Sequence, residues 1–103
     1  MAQFDVYENK NEMTKDNFPY IIDIQNNILK SLSSRVVIPM RKSNKTINIL
    51  NPKFNINGTE VILSTQEIST IPIDNLGEKV CSLKDEREEI INSIDFSKFL
   101  LVK

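Results

Sequence analysis

Acid–base chemistry in this chain must use Asp, Glu, Lys, Arg or Tyr, because its 103 residues include no histidine. Cleaving a phosphodiester needs an acid and a base around the scissile phosphate, with a cation beside it. Asp23 with Arg35 or Arg41 supplies those residue types, although their spacing adds nothing further. The sequence contains no phosphate-binding loop, dinucleotide motif or acidic metal loop. It therefore predicts neither a metal nor a cofactor.

Positive charge is concentrated in the middle of the chain. The formal net charge is only -1, yet no acidic residue lies between Asp23 and Glu60. The basic residues in this interval are Lys30, Arg35, Arg41, Lys42, Lys45 and Lys53. A basic surface attracts nucleic acid or an acidic peptide, and a solvated face without a partner is the alternative.

Two stretches carry apolar residues where polar ones are expected. The polar segment between two apolar runs contains Ile28, Leu29 and Leu32. The end of the chain has more apolar residues than one helical stripe holds, namely Phe96, Phe99, Leu100, Leu101 and Val102. These residues either cap the domain's own core or contact a partner.

The single cysteine, Cys81, cannot form an internal disulfide, and a small buried apolar side chain is its expected role. A reducing cytoplasm fits this composition. The first residues lack the pattern of a signal peptide, and no apolar run approaches the roughly 20 residues that span a bilayer. We therefore expect a cytoplasmic protein with one domain, residues 1–103.

Alternation and turn residues predict a mainly β fold. The segment "QFDVY" predicts a half-buried strand, and "YIIDIQ" and "RVVIP" predict two more, with Pro39 indicating an edge or a bulge. Asn57-Gly58 predicts a type I′ hairpin turn. The strand after it is expected to continue through Ile68, and "STIPIDNLGEKV", with Gly77, reads as a turn-rich return.

The last segment predicts the one helix. Ser82 is the expected N-cap, with Asp85 at the third helical position. Ile90, Ile91 and Ile94 form the expected buried stripe. Short antiparallel strands followed by one helix predict an SH3-like small antiparallel barrel with a C-terminal α-helix.

Three stretches in this order resemble the CcdB family, the toxins of toxin–antitoxin modules. They are "QFDVY", the pair "IIDIQNNIL" with "RVVIPM", and "REEIINSIDF"; "STIPIDNLGEKV" is also similar to the family's Ser-x-Pro-x turn and carries its Gly-Glu-x-Val. The resemblance implies a CcdB/MazF-type fold and a homodimer that is not an enzyme. It also implies binding to the A subunit of DNA gyrase, which is trapped on cleaved DNA, and neutralisation by a CcdA-like antitoxin. The toxin–antitoxin complex, and not the toxin alone, is expected to bind operator DNA and repress its own operon, as in plasmid maintenance.

The resemblance also implies the gyrase-binding residues. They are Ile28 and Leu29 after the second strand, Asp95 after the last Ile of the helix, and Phe99, Leu100 and Leu101 at its end. In the family these last three are Trp, Gly and Ile, so we expect a different shape at this tip. The basic residues Arg41, Lys42 and Lys45 are the expected contacts of an acidic antitoxin tail.

Two alternatives stay open from the sequence. One is a MazF-type endoribonuclease, which shares the barrel and would use acid–base residues such as those above. The other is a non-toxic homologue that binds an antitoxin and acts only as a corepressor. This alternative rests on the altered end of the chain.

Overall fold

A computed structural model describes residues 2–29, 32–43 and 50–101 of the chain. Within these residues, seven strands form one antiparallel sheet and a single α-helix follows them. The elements are β1 (Asp5–Asn9), β2 (Tyr20–Asp23), β3 (Ser34–Lys42), β4 (Lys53–Ile56), β5 (Thr59–Leu63), β6 (Ser69–Pro72), β7 (Leu76–Ser82) and α1 (Arg87–Leu101). The sheet curls into half of a barrel beside the C-terminal helix, so the predicted fold class is confirmed.

The longest strand, β3, lies in the middle of the sheet. The strand order is β4-β5-β3-β2-β1-β7, and β6 also pairs with β3. Along one side β3 meets β2, and along the other it pairs first with β6 and then with β5. The sequence indicated a sheet edge or a bulge at Pro39, and this prediction is wrong because β3 has partners on both sides. Pro39 lies where the partner changes from β6 to β5, so its missing N–H falls in the gap between those two strands.

Both faces of the central strands are covered. The larger core lies between the sheet and α1 and contains Phe4, Val6, Ile22, Ile38, Met40, Phe54, Ile56, Val61, Leu63 and Ile90. A smaller cluster on the opposite face contains Tyr7, Ile21, Val37 and Leu76. The prediction of a half-buried first strand is therefore wrong, because Val6 and Tyr7 are buried on opposite faces of β1.

The hairpin β4–β5 forms at the predicted turn, where Asn57 and Gly58 have φ values of 51° and 86°. The next strand, however, ends at Leu63 and does not continue through Ile68, since a 3-10 turn occupies Thr65–Glu67. Gly77 is also not part of a turn. It lies within β7, where an added Cβ would be 2.8 Å from the backbone oxygen of Glu8 in β1.

The helix begins later than expected. A 3-10 turn spans Lys84–Glu86 before α1, although the Ser82 hydroxyl does accept a hydrogen bond from the Lys84 N–H. Ile90 is buried and Ile94 half-buried, but Ile91 lies largely on the outside, so its place in the buried stripe is a wrong prediction. Its position one residue after Ile90 rotates it about 100° away from the core.

Candidate partner-binding surface

The connection after β2 exposes aliphatic side chains. A 3-10 turn spans Asn27–Leu29, and Ile28 within it has 85% of its surface exposed. Leu32, later in the same connection, is 47% exposed. Leu29 belongs to this turn by its backbone, while its side chain lies outside what the structure describes. The connection therefore presents Ile28 and Leu32 to water without cover from the described residues.

Side-chain hydrogen bonds hold the turn in place. The Asn26 side-chain oxygen accepts the Ile28 N–H at 2.9 Å, and that of Asn27 accepts the Gln3 N–H at 2.8 Å. The Gln3 amide in turn donates to the Ile24 carbonyl at 3.1 Å. Short Asn side chains commonly fold back on the backbone in this way. The turn is thus tied to the segment that enters β1.

A buried ion pair lies directly before the turn. Asp23 at the end of β2 and Arg35 in β3 are both 0% exposed. The Arg35 Nε donates to Asp23 Oδ2 at 2.8 Å, and Nη2 lies 2.7 Å from the same oxygen. Burial raises the pKa of Asp23, against the effect of its hydrogen bonds from Gln25 and Arg35. Because the two groups are enclosed and paired, neither reaches a phosphate at the surface.

The ion pair belongs to a larger polar cluster. The Tyr7 hydroxyl donates to Asp5 Oδ2 at 3.4 Å, and Lys79 Nζ lies 3.4 Å from Asp5 Oδ1. Burial, then the charges of Asp5 and Asp23, raise the pKa of Tyr7 to about 12. The sequence offered Asp23 and Arg35 only as acid–base candidates and did not predict the cluster. The available signal was Asp23 at the end of the apolar run "YII", where strand alternation places it on the face of Ile21.

The helical half of the predicted gyrase-binding set is partly described. Asp95 is exposed on α1, after the half-buried Ile94. The backbone of Phe99, Leu100 and Leu101 continues α1, while their side chains lie outside the described part. The structure therefore places Ile28 and Asp95 on the surface of different elements.

Two of the three predicted antitoxin contacts share a recess. Asn17, Arg41, Lys42 and Ser43 line a space of about 340 Å³, and Arg41 and Lys42 are exposed. The Arg41 guanidinium carbon lies 5.1 Å from the centre of the Phe18 ring, in the range of a cation–π contact. Lys45 lies outside the described residues. The recess is open and basic, which suits an acidic chain.

A family comparison decides the assignment. Residues 3–98 match the family described as CcdB protein. The chain belongs to the CcdB family. Its broad function is therefore that of a toxin of a toxin–antitoxin system. The CcdB match ends at Lys98, immediately before Phe99.

Two solved structures have a similar fold. One, Mycobacterium tuberculosis toxin MazF-mt6, has a TM-score of 0.74 at 13% identity, covering 91% of this chain and 95% of that one. Another is an endoribonuclease in complex with its cognate antitoxin from a mycobacterial species, with a TM-score of 0.73 at 14% identity, covering 97% and 96%. At identities this low, the likeness shows a shared fold and nothing more.

Metal and membrane features are absent from the described part of the chain. No group of three or more Cys, Asp or Glu residues there could hold a metal ion. None of the helices there is long and apolar enough to cross a bilayer. Cys81 is a free, half-buried thiol whose pKa is raised by burial.

Proposed function

We propose that this CcdB-family protein is a non-enzymatic toxin that binds the A subunit of DNA gyrase and traps the gyrase–DNA cleavage complex. The observation that carries the proposal is Ile28, an aliphatic side chain 85% exposed on a turn fixed by hydrogen bonds. An exposed apolar residue on a pre-ordered turn loses little conformational entropy when a partner covers it. In the family resemblance this position and Leu29 contact gyrase.

Three further observations support a binding function. Leu32 extends the exposed apolar surface of the same connection. Asp95 stands exposed on α1 at the second expected contact region. The acid–base candidates Asp23 and Arg35 are buried against each other, which supports a mechanism without bond cleavage by those groups. Phe99, Leu100 and Leu101 complete the proposed gyrase-binding surface.

A gyrase cleavage assay tests the proposal. Purified protein is incubated with gyrase, ATP and supercoiled plasmid, and trapped complexes appear as linear DNA after detergent and protease treatment. We expect linear DNA with the wild type and a loss of about tenfold or more in potency with Ile28→Glu, because a buried charge at a contact costs several kcal/mol. Met13→Glu is the matched control, because Met13 is 91% exposed in a different loop.

Two outcomes contradict the gyrase proposal. One is a folded wild type that yields no linear DNA at high micromolar concentration. The other is an equal loss of potency in the Met13 and Ile28 variants, which would contradict the assignment of Ile28 as a gyrase contact. If the wild type is inactive but binds its antitoxin, the corepressor alternative is established in its place.

The endoribonuclease alternative has a separate test. Its remaining surface candidate, Arg41, contacts the Phe18 ring. Incubation of the purified protein with messenger RNA would release discrete fragments if the protein cleaved RNA. We expect intact RNA.

The proposed partners are a second copy of the chain, a CcdA-like antitoxin and, for the toxin–antitoxin complex alone, operator DNA. Analytical ultracentrifugation checks the homodimer, for which a monomer at micromolar concentration is the contrary result. The antitoxin is proposed to bring an acidic, disordered tail to Arg41, Lys42 and Lys45, because oppositely charged surfaces steer association. Operator binding by the toxin alone would contradict the proposal that only the toxin–antitoxin complex binds operator DNA.

A further inference from the structure

We propose that the buried Asp23–Arg35 pair is a positioning unit that holds the Ile28 turn in its partner-binding arrangement. The inference rests on the proposed function for its consequence in binding. Its structural content concerns only how a charge pair in the sheet orders the turn that follows.

The first step is the geometry of the Asp23 carboxylate. Both close contacts from Arg35 go to Oδ2, at 2.8 and 2.7 Å. Oδ1 is therefore left to accept the backbone N–H of Gln25 at 2.9 Å. Arg35 thus fixes the orientation of the carboxylate, and the carboxylate fixes the backbone two residues later.

The second step is the path from Gln25 to Ile28. The Gln25 side chain is buried, and its oxygen accepts the Val36 N–H at 3.0 Å, beside the bond from the Ile24 N–H to the Val36 carbonyl. These contacts prolong the pairing with β3 beyond the end of β2. Asn26 then closes the turn on the Ile28 N–H. Hydrogen bonds at Gln25 and at Asn26, which are neighbours in the chain, therefore link the ion pair to the backbone of Ile28.

The third step is that the pair is a poor source of stability. Enclosing both charges costs solvation, and buried ion pairs are often replaceable by apolar residues without loss of stability. Among the described residues, neither Nη1 nor Nη2 of Arg35 makes a hydrogen bond of good geometry, although Nη2 is close to Asp23 as an ion pair. Part of the guanidinium is therefore left unsatisfied by the described residues. The geometry therefore supports a role for the pair in orienting the turn rather than in stabilising the fold.

The test compares an apolar pair with a neutral polar pair. Asp23→Leu with Arg35→Met removes the acceptor for Gln25 while filling the space. Asp23→Asn with Arg35→Gln keeps an oxygen for the Gln25 N–H and serves as the conservative rescue. Each full-length double variant is measured by thermal unfolding, by amide hydrogen exchange at Gln25 and Ile28, and in the gyrase cleavage assay.

We expect the apolar pair to keep or raise the unfolding temperature. The Gln25 amide should exchange roughly tenfold faster or more, because its opening no longer requires breaking the bond to Asp23. The Ile28 amide, which donates to Asn26, should exchange faster by a similar factor because the backbone that leads into its turn is no longer held. Potency on gyrase should fall by a similar factor, and the Asn–Gln pair should restore both exchange and potency. A folded apolar variant with unchanged exchange at both amides would overturn the proposal, as would changed exchange with unchanged potency in an active protein.

Two features keep the result decisive. If the apolar variant does not fold, exchange in the wild type is diagnostic, because a Gln25 amide far less protected than Ile22 of β2 would contradict the proposal. If the wild type does not act on gyrase, the proposed function fails by that result alone. The exchange measurements still decide whether the pair positions the turn.

Discussion

Tyr7 places its hydroxyl in an acidic, enclosed environment. It donates to Asp5, and the charges of Asp5 and Asp23 disfavour the phenolate, while Arg35 opposes them. Lys79 pairs with Tyr7 across β1 and β7 and contacts Asp5. Burial is the largest cause of the raised pKa. The cluster therefore makes stability depend on keeping Tyr7 neutral.

The raised pKa of Tyr7 predicts how the free energy of unfolding changes at high pH. A tyrosine in the unfolded chain ionises near pH 10, whereas the fold raises the pKa of Tyr7 to about 12. The stabilisation is fully present below about pH 10 and is lost as the pH rises to about 12, because the unfolded state releases its proton first. Denaturant unfolding should show wild type losing roughly 2 kcal/mol more than Tyr7→Phe across this interval. Parallel losses in the two proteins would contradict the assigned pKa.

The two glycines of the chain serve different needs. Gly58 has a positive φ of 86° and open space around it, whereas Gly77 lies against the backbone of Glu8 in a neighbouring strand. Gly58→Ala should cost about 1 kcal/mol from backbone strain. Gly77→Ala should cost about 2 to 3 kcal/mol, because β1 and β7 must separate to admit the methyl group. Equal losses in urea unfolding would show that the close approach is not rigid.

Short sequence patterns predicted turns and strands better than they predicted which strands lie next to each other. The Asn57-Gly58 turn was recognisable because its backbone requirement falls on those residues themselves. The role of Gly77 was not, because it depends on Glu8, which is distant in the sequence and adjacent only in the sheet. Likewise Pro39 read as an edge signal, since nothing local shows that β3 changes partners there.

The helix α1 provides a neighbouring pair for comparison. Ile90 is fully buried against the sheet, whereas Ile91 is 36% exposed. Ile90→Ala should cost about 2 to 5 kcal/mol through lost burial and a cavity, and Ile91→Ala should cost about 1 kcal/mol or less. Chemical denaturation of both variants measures the difference. A similar loss in each would mean that the outer face of α1 is covered in solution, which the proposed dimer would explain.

The fold as a whole was predictable, but its buried charges were not. Strand alternation and the apolar stripe of α1 depend on averages over many residues, so single errors such as Ile91 leave the fold class unchanged. Asp23 and Arg35 depend on one contact between separate strands, and charged residues are usually exposed. Of the candidate site, the sequence indicated the exposed Ile28 but not the ion pair that precedes its turn.

The basic recess makes a prediction about the speed of antitoxin binding. Attraction between an acidic tail and Arg41 and Lys42 should act mainly on the association rate and weaken as salt screens it. Arg41→Glu with Lys42→Glu should slow association roughly tenfold at low salt, with a smaller difference at high salt. Lys84→Glu with Arg87→Glu is the control, because these exposed residues give the same change in net charge at the start of the helix. Stopped-flow measurements with a CcdA-like antitoxin compare the three proteins. If both double variants slow association equally, overall charge and not the recess steers the antitoxin.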